Sequence, residues 1–176
     1  MARRQLTGVL LVGGASRRFG SPKALARVGD ETLAERAWRL LGDACEERLA
    51  VGKAGELELP FPLVDDGTAV RAPLAGVVAG LRAAAHGVAV FLPVDAPRIT
   101  VDALRLLGAA CRDAAVPQTG PLPGAYAKSA LPVLERRLVE GELALGRALA
   151  ELDAVRVELD PALLVNVNSP SELAAL

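Results

Sequence analysis

Four short segments of this chain carry residues whose types and spacing could do chemistry. The first spans residues 10–23, where the apolar run Leu10, Leu11, Val12 ends in Gly13 and Gly14. Ser16, Arg17, Arg18, Gly20 and Lys23 follow within one loop. Glycines let backbone N–H groups approach phosphate oxygens closely, and Arg and Lys then neutralise the charge. The loop is not a P-loop, because no Gly-Lys-Ser or Gly-Lys-Thr follows the spacer, and it is not the dinucleotide fingerprint. A plain strand-to-helix turn carrying surface bases is the chemistry-free reading of the same residues.

The second segment places Asp95 directly after the buried-type run 88–94, with Pro97 fixing the turn beyond it. A carboxylate there lands at the carboxyl edge of a sheet, facing the first loop, and suits Mg²⁺, a hard ion that prefers oxygen ligands. The third holds Asn166 and Asn168, which share one face of an extended stretch and can reach a metal or a phosphate. Ser169, Pro170 and Glu172 just beyond them read as a capping box with Pro at the first helical position, and capping accounts for that serine and that glutamate. The fourth is the pair Asp65 and Asp66 at the end of a short apolar run. Such acids can accept hydrogen bonds from a base or a ribose, though adjacent acids in a loop are also commonly just solvated.

The elements that must position these groups alternate along the chain. Strand signals cover 8–12, 48–51, 63–64, 88–94 and 155–159. Helical spacing covers 31–41 with Thr32 as a cap, 74–85 behind Pro73, 101–115 with Thr100 or Asp102 at its cap, 131–138, 143–152 and 170–176. Alternating strands and helices predict an α/β fold with a parallel or mostly parallel sheet flanked by helices. Ligands of such sheets sit at the carboxyl ends of strands, so the loops after Val12, Val64 and Val94 matter most. Residues 117–123, with three prolines, are expected to be the most flexible loop.

Composition narrows the function classes. A chain of 176 residues fits a single domain, residues 1–176. With 52% hydrophobic and 23% charged residues it is globular, and with 3% aromatic residues its core must be aliphatic. So few aromatics argue against base stacking on single-stranded nucleic acid, and a net charge of −1 gives no global attraction to nucleic acid or anionic membrane. No apolar run approaches the length of a membrane span, and the basic start at Arg3 and Arg4 is followed by too short an apolar run for a signal peptide, so a cytoplasmic protein is expected. Cys45 and Cys111 read as small buried hydrophobes, and His86, the single histidine, as a surface or capping residue.

Taken in order, the four segments resemble the molybdenum cofactor guanylyltransferase family and its relatives among the glycosyltransferase-A-like nucleotidyltransferases. Gly13, Gly14, Ser16, Arg18, Gly20 and Lys23 match the family's first signature, Asp95 its Pro-x-Asp-x-Pro, Asn166 and Asn168 its late Asn-x-Asn-x-Pro, and residues 72–77 its Gly-Pro-Leu-Ala-Gly stretch. Departures are Val12 for Ala, Phe19 for Met, Pro22 for Asp, Ala72 for Gly, and Gly52 where guanylyltransferases can offer an asparagine.

The resemblance implies a three-layer, Rossmann-like fold of the nucleotide-diphospho-sugar transferase type. It implies transfer of GMP from GTP to molybdopterin, with release of pyrophosphate and with Mg²⁺ as cofactor. Leu11, Val12, Gly13, Gly14 and Ser16 would cradle the nucleotide, and Arg18 and Lys23 would neutralise phosphates. Asp95 would hold the metal, Asn166 and Asn168 would support the metal or acceptor, and Asp65 or Asp66 would meet the base or ribose. Other molybdenum cofactor assembly proteins are candidate partners. Rival readings are transfer of CMP from CTP to the same cofactor, transfer to another small phosphorylated acceptor, and, in a different class, a non-catalytic nucleotide-binding regulatory module.

Overall fold

Alternate residues along each central strand point into different cores, and this divides the molecule into layers. The computed structural model describes residues 4–13 and 22–176. In chain order the elements are β1 (Thr7–Leu11), a 3-10 turn (Lys23–Leu25), the small hairpin β2 (Arg27–Val28) and β3 (Glu31–Thr32), α1 (Leu33–Ala44), β4 (Glu47–Gly52), β5 (Leu63–Asp65), α2 (Pro73–Ala83), β6 (Val88–Pro93) and α3 (Val101–Ala110). They continue with β7 (Ala114–Pro117), β8 (Gly124–Ala127), α4 (Leu131–Glu140), α5 (Leu145–Ala148), β9 (Ala154–Val157) and α6 (Pro170–Ala174).

Among the described residues seven strands form one sheet in the order β5-β4-β1-β6-β8-β7-β9. β5, β4, β1 and β6 run parallel, β8 runs antiparallel to β6 and β7, and β9 is parallel to β7. Leu10, Val90, Leu92 and Ala115 face α1 and α3 in one core. Val9, Leu11, Ala89, Phe91, Val116 and Tyr126 face α2, α4 and α5 in the other. The mostly parallel, helix-flanked sheet expected from the alternation is thus present, with β6 at its centre.

Local signals explain most boundaries. Thr32 Oγ1 accepts from the Glu35 N–H at 3.1 Å, while the Glu35 carboxylate accepts from the Thr32 N–H at 2.7 Å, a complete capping box on α1. Pro73 opens α2 at the first helical position, and Thr100 caps α3 through the Ala103 N–H. Cys45 and Cys111 end α1 and α3 as buried thiols, and burial pushes the Cys111 thiol up to about 12. His86 is half-buried in the bend after α2, where its backbone N–H donates to Thr7 Oγ1.

Three expectations are corrected. The helix read over 101–115 ends at Ala110, and Ala114 begins β7. Alanine favours helix, but Ala114, Ala115 and Val116 are fully buried between both helical layers, where small strand residues fit, so packing overrides propensity. The helix read over 143–152 is only α5 followed by a 3-10 turn. The loop 117–123 is tied down rather than loose. Gln118 donates to the Leu159 carbonyl at 2.6 Å and accepts from its N–H at 3.1 Å. The Tyr126 hydroxyl donates to the Pro121 carbonyl at 2.8 Å.

Helix α2 lies close on the sheet because Gly80 has no side chain. A Cβ there would stand 2.6 Å from Phe91 and 2.9 Å from Val9, both fully buried. Gly80→Val is expected to lower unfolding stability by about 2–3 kcal/mol through overpacking. Gly146→Ala, where a Cβ meets nothing within 4 Å, should stay within about 0.5 kcal/mol of the parent. Urea unfolding of the two variants checks both.

Candidate active site

Parallel pairing brings the carboxyl ends of four strands into line. Leu11 lies opposite Val51 on β4 and Pro93 on β6, and Gly52 lies opposite Asp65 on β5. The pairing runs one step beyond the strands: the Val12 N–H donates to the Val51 carbonyl at 3.1 Å, the Val94 N–H to the Leu11 carbonyl at 3.4 Å, and the Asp66 N–H to the Gly52 carbonyl at 3.0 Å. From β1 the chain winds outward to β4 and β5, then returns to lay β6 on the other flank of β1. That reversal is a topological switch point, where open α/β sheets bind ligands. Val12 and Gly13 follow β1 there, and Asp95 follows β6.

The Lys23 ammonium joins three distant segments at this point. Its Nζ lies 3.4 Å from Asp95 Oδ2 and 3.3 Å from Asn168 Oδ1. The Lys23 and Asp95 side chains are only 17% and 28% exposed, so their attraction is less screened than that of a surface pair. The segment bearing Asn168 is fixed against Asp95 by the backbone, because the N–H of buried Val167 donates to the Asp95 carbonyl at 2.8 Å. Ser169 caps α6 as expected, through the Glu172 N–H. The reciprocal half of the expected capping box is not made: the Glu172 carboxylate accepts from the Asn168 N–H at 2.6 Å, one residue before the cap, and so holds that residue's backbone.

The acids at the end of β5 differ in what they have left to offer. Both Asp65 oxygens are engaged, Oδ2 by the Ala54 N–H at 2.7 Å and Oδ1 by the Gly67 N–H at 2.6 Å. Asp66 takes its two hydrogen bonds on one oxygen, Oδ1, from Lys53 at 2.7 Å and from the Thr68 N–H at 3.2 Å. Among the described residues, no partner meets Asp66 Oδ2. The two β-edges bearing Asp66 and Asp95 are three strand spacings apart, about 14 Å.

The structure therefore gathers Leu11, Val12, Gly13, Lys23, Asp66, Asp95 and Asn168 along one edge. Gly14, Ser16 and Arg18 lie outside the described residues. Asn166 is exposed, and no hydrogen bond involves its side chain among the described residues. Lys53 and Glu172 were not assigned to the site from sequence. Lys53 is a single lysine at a strand end, and its partners lie 13 to 17 residues further on. Glu172 already had a sufficient local explanation.

A three-layer sheet of this order, with its polar groups at the switch point, is the fold of α/β nucleotidyltransferases. The molybdopterin-guanine dinucleotide biosynthesis protein A of Archaeoglobus fulgidus superposes with a TM-score of 0.82 over 96% of this chain and 95% of its own, at 24% identity. The 2-C-methyl-D-erythritol 4-phosphate cytidylyltransferase of Thermus thermophilus superposes with a TM-score of 0.71 over 95% of each chain, at 20% identity.

The family model for the MobA-like NTP transferase domain matches residues 8–157. A probable molybdenum cofactor guanylyltransferase of Deinococcus radiodurans is 38% identical over 97% of this chain and 93% of its own length. The chain belongs to the MobA-like NTP transferase family, and it is a nucleotidyltransferase. No helix among the described residues is long and apolar enough to cross a membrane.

The backbone N–H groups of Ala54 and Gly67 hold the Asp65 carboxyl below its usual value of 3.8. A depressed carboxyl stabilises the fold above its usual value and loses that contribution as pH falls through the folded value. The difference in urea midpoint between the parent and Asp65→Asn should therefore be steady from about pH 8 to about pH 5 and shrink below about pH 4. A difference that grows on acidification would contradict this role.

Proposed function

We propose that this chain transfers GMP from GTP to molybdopterin, forming the guanine dinucleotide form of the cofactor and releasing pyrophosphate. The geometry that supports this reading is the Lys23 ammonium between Asp95 and Asn168 at the switch point, groups whose charges and oxygens suit polyphosphate and a hard cation. Near-full-length relatives named molybdenum cofactor guanylyltransferase, among them one from Pseudomonas putida at 33% identity over 94% of both chains, supply the base and acceptor.

The donor set fits Mg²⁺. The Asp95 carboxylate and the Asn168 amide oxygen are hard ligands, and both already face one cation, the Lys23 ammonium. Among the described residues no group of three or more His, Cys, Asp or Glu gathers to enclose a metal. A single carboxylate that leaves the remaining positions to water and substrate phosphate is the pattern Mg²⁺ uses. When bound, Mg²⁺ would neutralise charge on the phosphate oxygens and stabilise the charge that develops during transfer.

The chain's own residues would then work by position and charge. A phosphate oxygen of the acceptor attacks the α-phosphorus, the bond from that phosphorus to the bridging oxygen breaks, and pyrophosphate carries the electron pair away. The attacker is already anionic, so no strong general base is needed, and the work falls to orientation and electrostatics. The backbone from Leu11 to Gly14, with Ser16, cradles the nucleotide. Arg18 and Lys23 neutralise the phosphates. Asp95 and Asn168 present oxygen ligands, and Asn166 supports the acceptor side.

Asp66, rather than Asp65, meets the base. Its Oδ2 is an acceptor-only atom, which matches the N1–H and N2–H₂ donors of guanine, whereas adenine and cytosine set an acceptor ring nitrogen there.

Calorimetric titration with GTP, CTP, ATP and UTP, each with and without Mg²⁺, is expected to show Mg²⁺-strengthened binding that is selective for GTP. Preference for CTP would replace guanylyl by cytidylyl transfer, and binding of none, even with the pterin acceptor added, would overturn the reading. Asp95→Ala should abolish turnover while keeping the parent's unfolding transition. Lys23→Ala should weaken triphosphate binding about tenfold or more, the scale of one lost charge-assisted hydrogen bond.

A further inference from the structure

We propose that Lys53 is a positioning residue for base recognition: it sets Asp66 and the turn 66–70, and through them the choice of base, without touching the nucleotide. This rests on the reading of Asp66 given above. The ammonium of Lys53 stands immediately beyond β4, at the same sheet edge as the phosphate groups' proposed place, and a lysine there invites assignment as a phosphate ligand. Its donors are spent elsewhere. Nζ donates to Asp66 Oδ1 at 2.7 Å, to the Val70 carbonyl at 2.8 Å and to the Thr68 carbonyl. An ammonium has three N–H donors, so these three acceptors exhaust it.

All three acceptors belong to one turn, and the two ends of the ion pair are largely withdrawn from water, 14% and 8% exposed. The connection is double. Lys53 reaches forward to 66–70, while Asp65 reaches back to the Ala54 N–H. The turn also contains Gly67 at φ +71, a conformation other residues rarely adopt.

Because Lys53 and the Thr68 N–H both land on Oδ1, they fix which Asp66 oxygen is left without a partner among the described residues. Removing Lys53 frees the carboxylate to rotate about its last bond and frees the carbonyls of Thr68 and Val70 to leave their places. An acceptor that is no longer aimed cannot distinguish bases by their donors.

The test compares GTP with ITP, which lacks the 2-amino group, by calorimetry on the full chain with Mg²⁺. The parent is expected to prefer GTP. Lys53→Met, similar in length and uncharged, is expected to lower GTP affinity roughly tenfold and bring the GTP/ITP preference close to one, the scale of one hydrogen bond to a charged group. In an Asp66→Asn background, Lys53→Met should cost little further, because the two residues act as a unit.

Lys53→Arg keeps the charge but spreads its donors over a planar fork. It should reduce the preference in the same direction by less, and it decides the matter alone if Lys53→Met does not fold. A general loosening of the fold would weaken both nucleotides equally, so an unchanged GTP/ITP ratio in the folded Lys53 variants overturns the proposal. Equal binding of GTP and ITP by the parent does the same. If the parent binds no GTP at all, the guanylyl reading falls and this proposal with it.

Discussion

Parallel pairing of β1 with β4 on one flank and with β6 on the other is the constraint from which the rest of the structure follows. Parallel strands cannot be joined by hairpins, so each must be reached through a crossover, and here the crossovers are α1 and α2 on opposite faces. The same pairing levels the strand ends, so that residues far apart in sequence emerge at one height. Had β6 been displaced by two residues, the Val94 N–H would no longer meet the Leu11 carbonyl, and Asp95 would not stand beside the chain leaving β1. The buried strand interior is thus what gives Asp95 and Gly13 a fixed relation. Small residues make this possible at the helix contacts, as Gly80 shows against Phe91 and Val9.

Much of this was legible in the sequence, for identifiable reasons. Val88 to Pro93 is continuously apolar because the strand has helices on both faces, and that run can be recognised without knowing its neighbours. Thr32 with Glu35 and the Ser169 cap on the Glu172 N–H are local signals, contained within four residues. β7 and β8 escaped because Ala114, Ala115, Gly124 and Ala125 carry no strand preference of their own. What makes them strands is the company of β6 and β9.

The site divides in the same way. Asp95 directly follows an apolar run and Lys23 closes a basic glycine-containing loop, and both announce themselves. Asp65 and Asp66 look alike in sequence and differ only in which oxygens the fold consumes, a distinction set by Ala54, Gly67, Thr68 and Lys53. Asn166 and Asn168 share a sequence pattern but not a set of contacts: the Val167 N–H between them docks the segment on Asp95, and of the two side chains only that of Asn168 meets Lys23 among the described residues.

The contact between Lys23 and Asn168 spans 145 positions along the chain, and this has a thermodynamic meaning beyond the chemistry. An encounter between such distant residues carries little reward until the whole sheet between them is built. The arrangement is therefore expected to form with the sheet rather than before it. A ligand of the folded state shifts the folding equilibrium by mass action, by about 2.7 kcal/mol at a hundredfold excess over its dissociation constant. For this chain, nucleotide concentration and the equilibrium stability of the fold are then linked quantities.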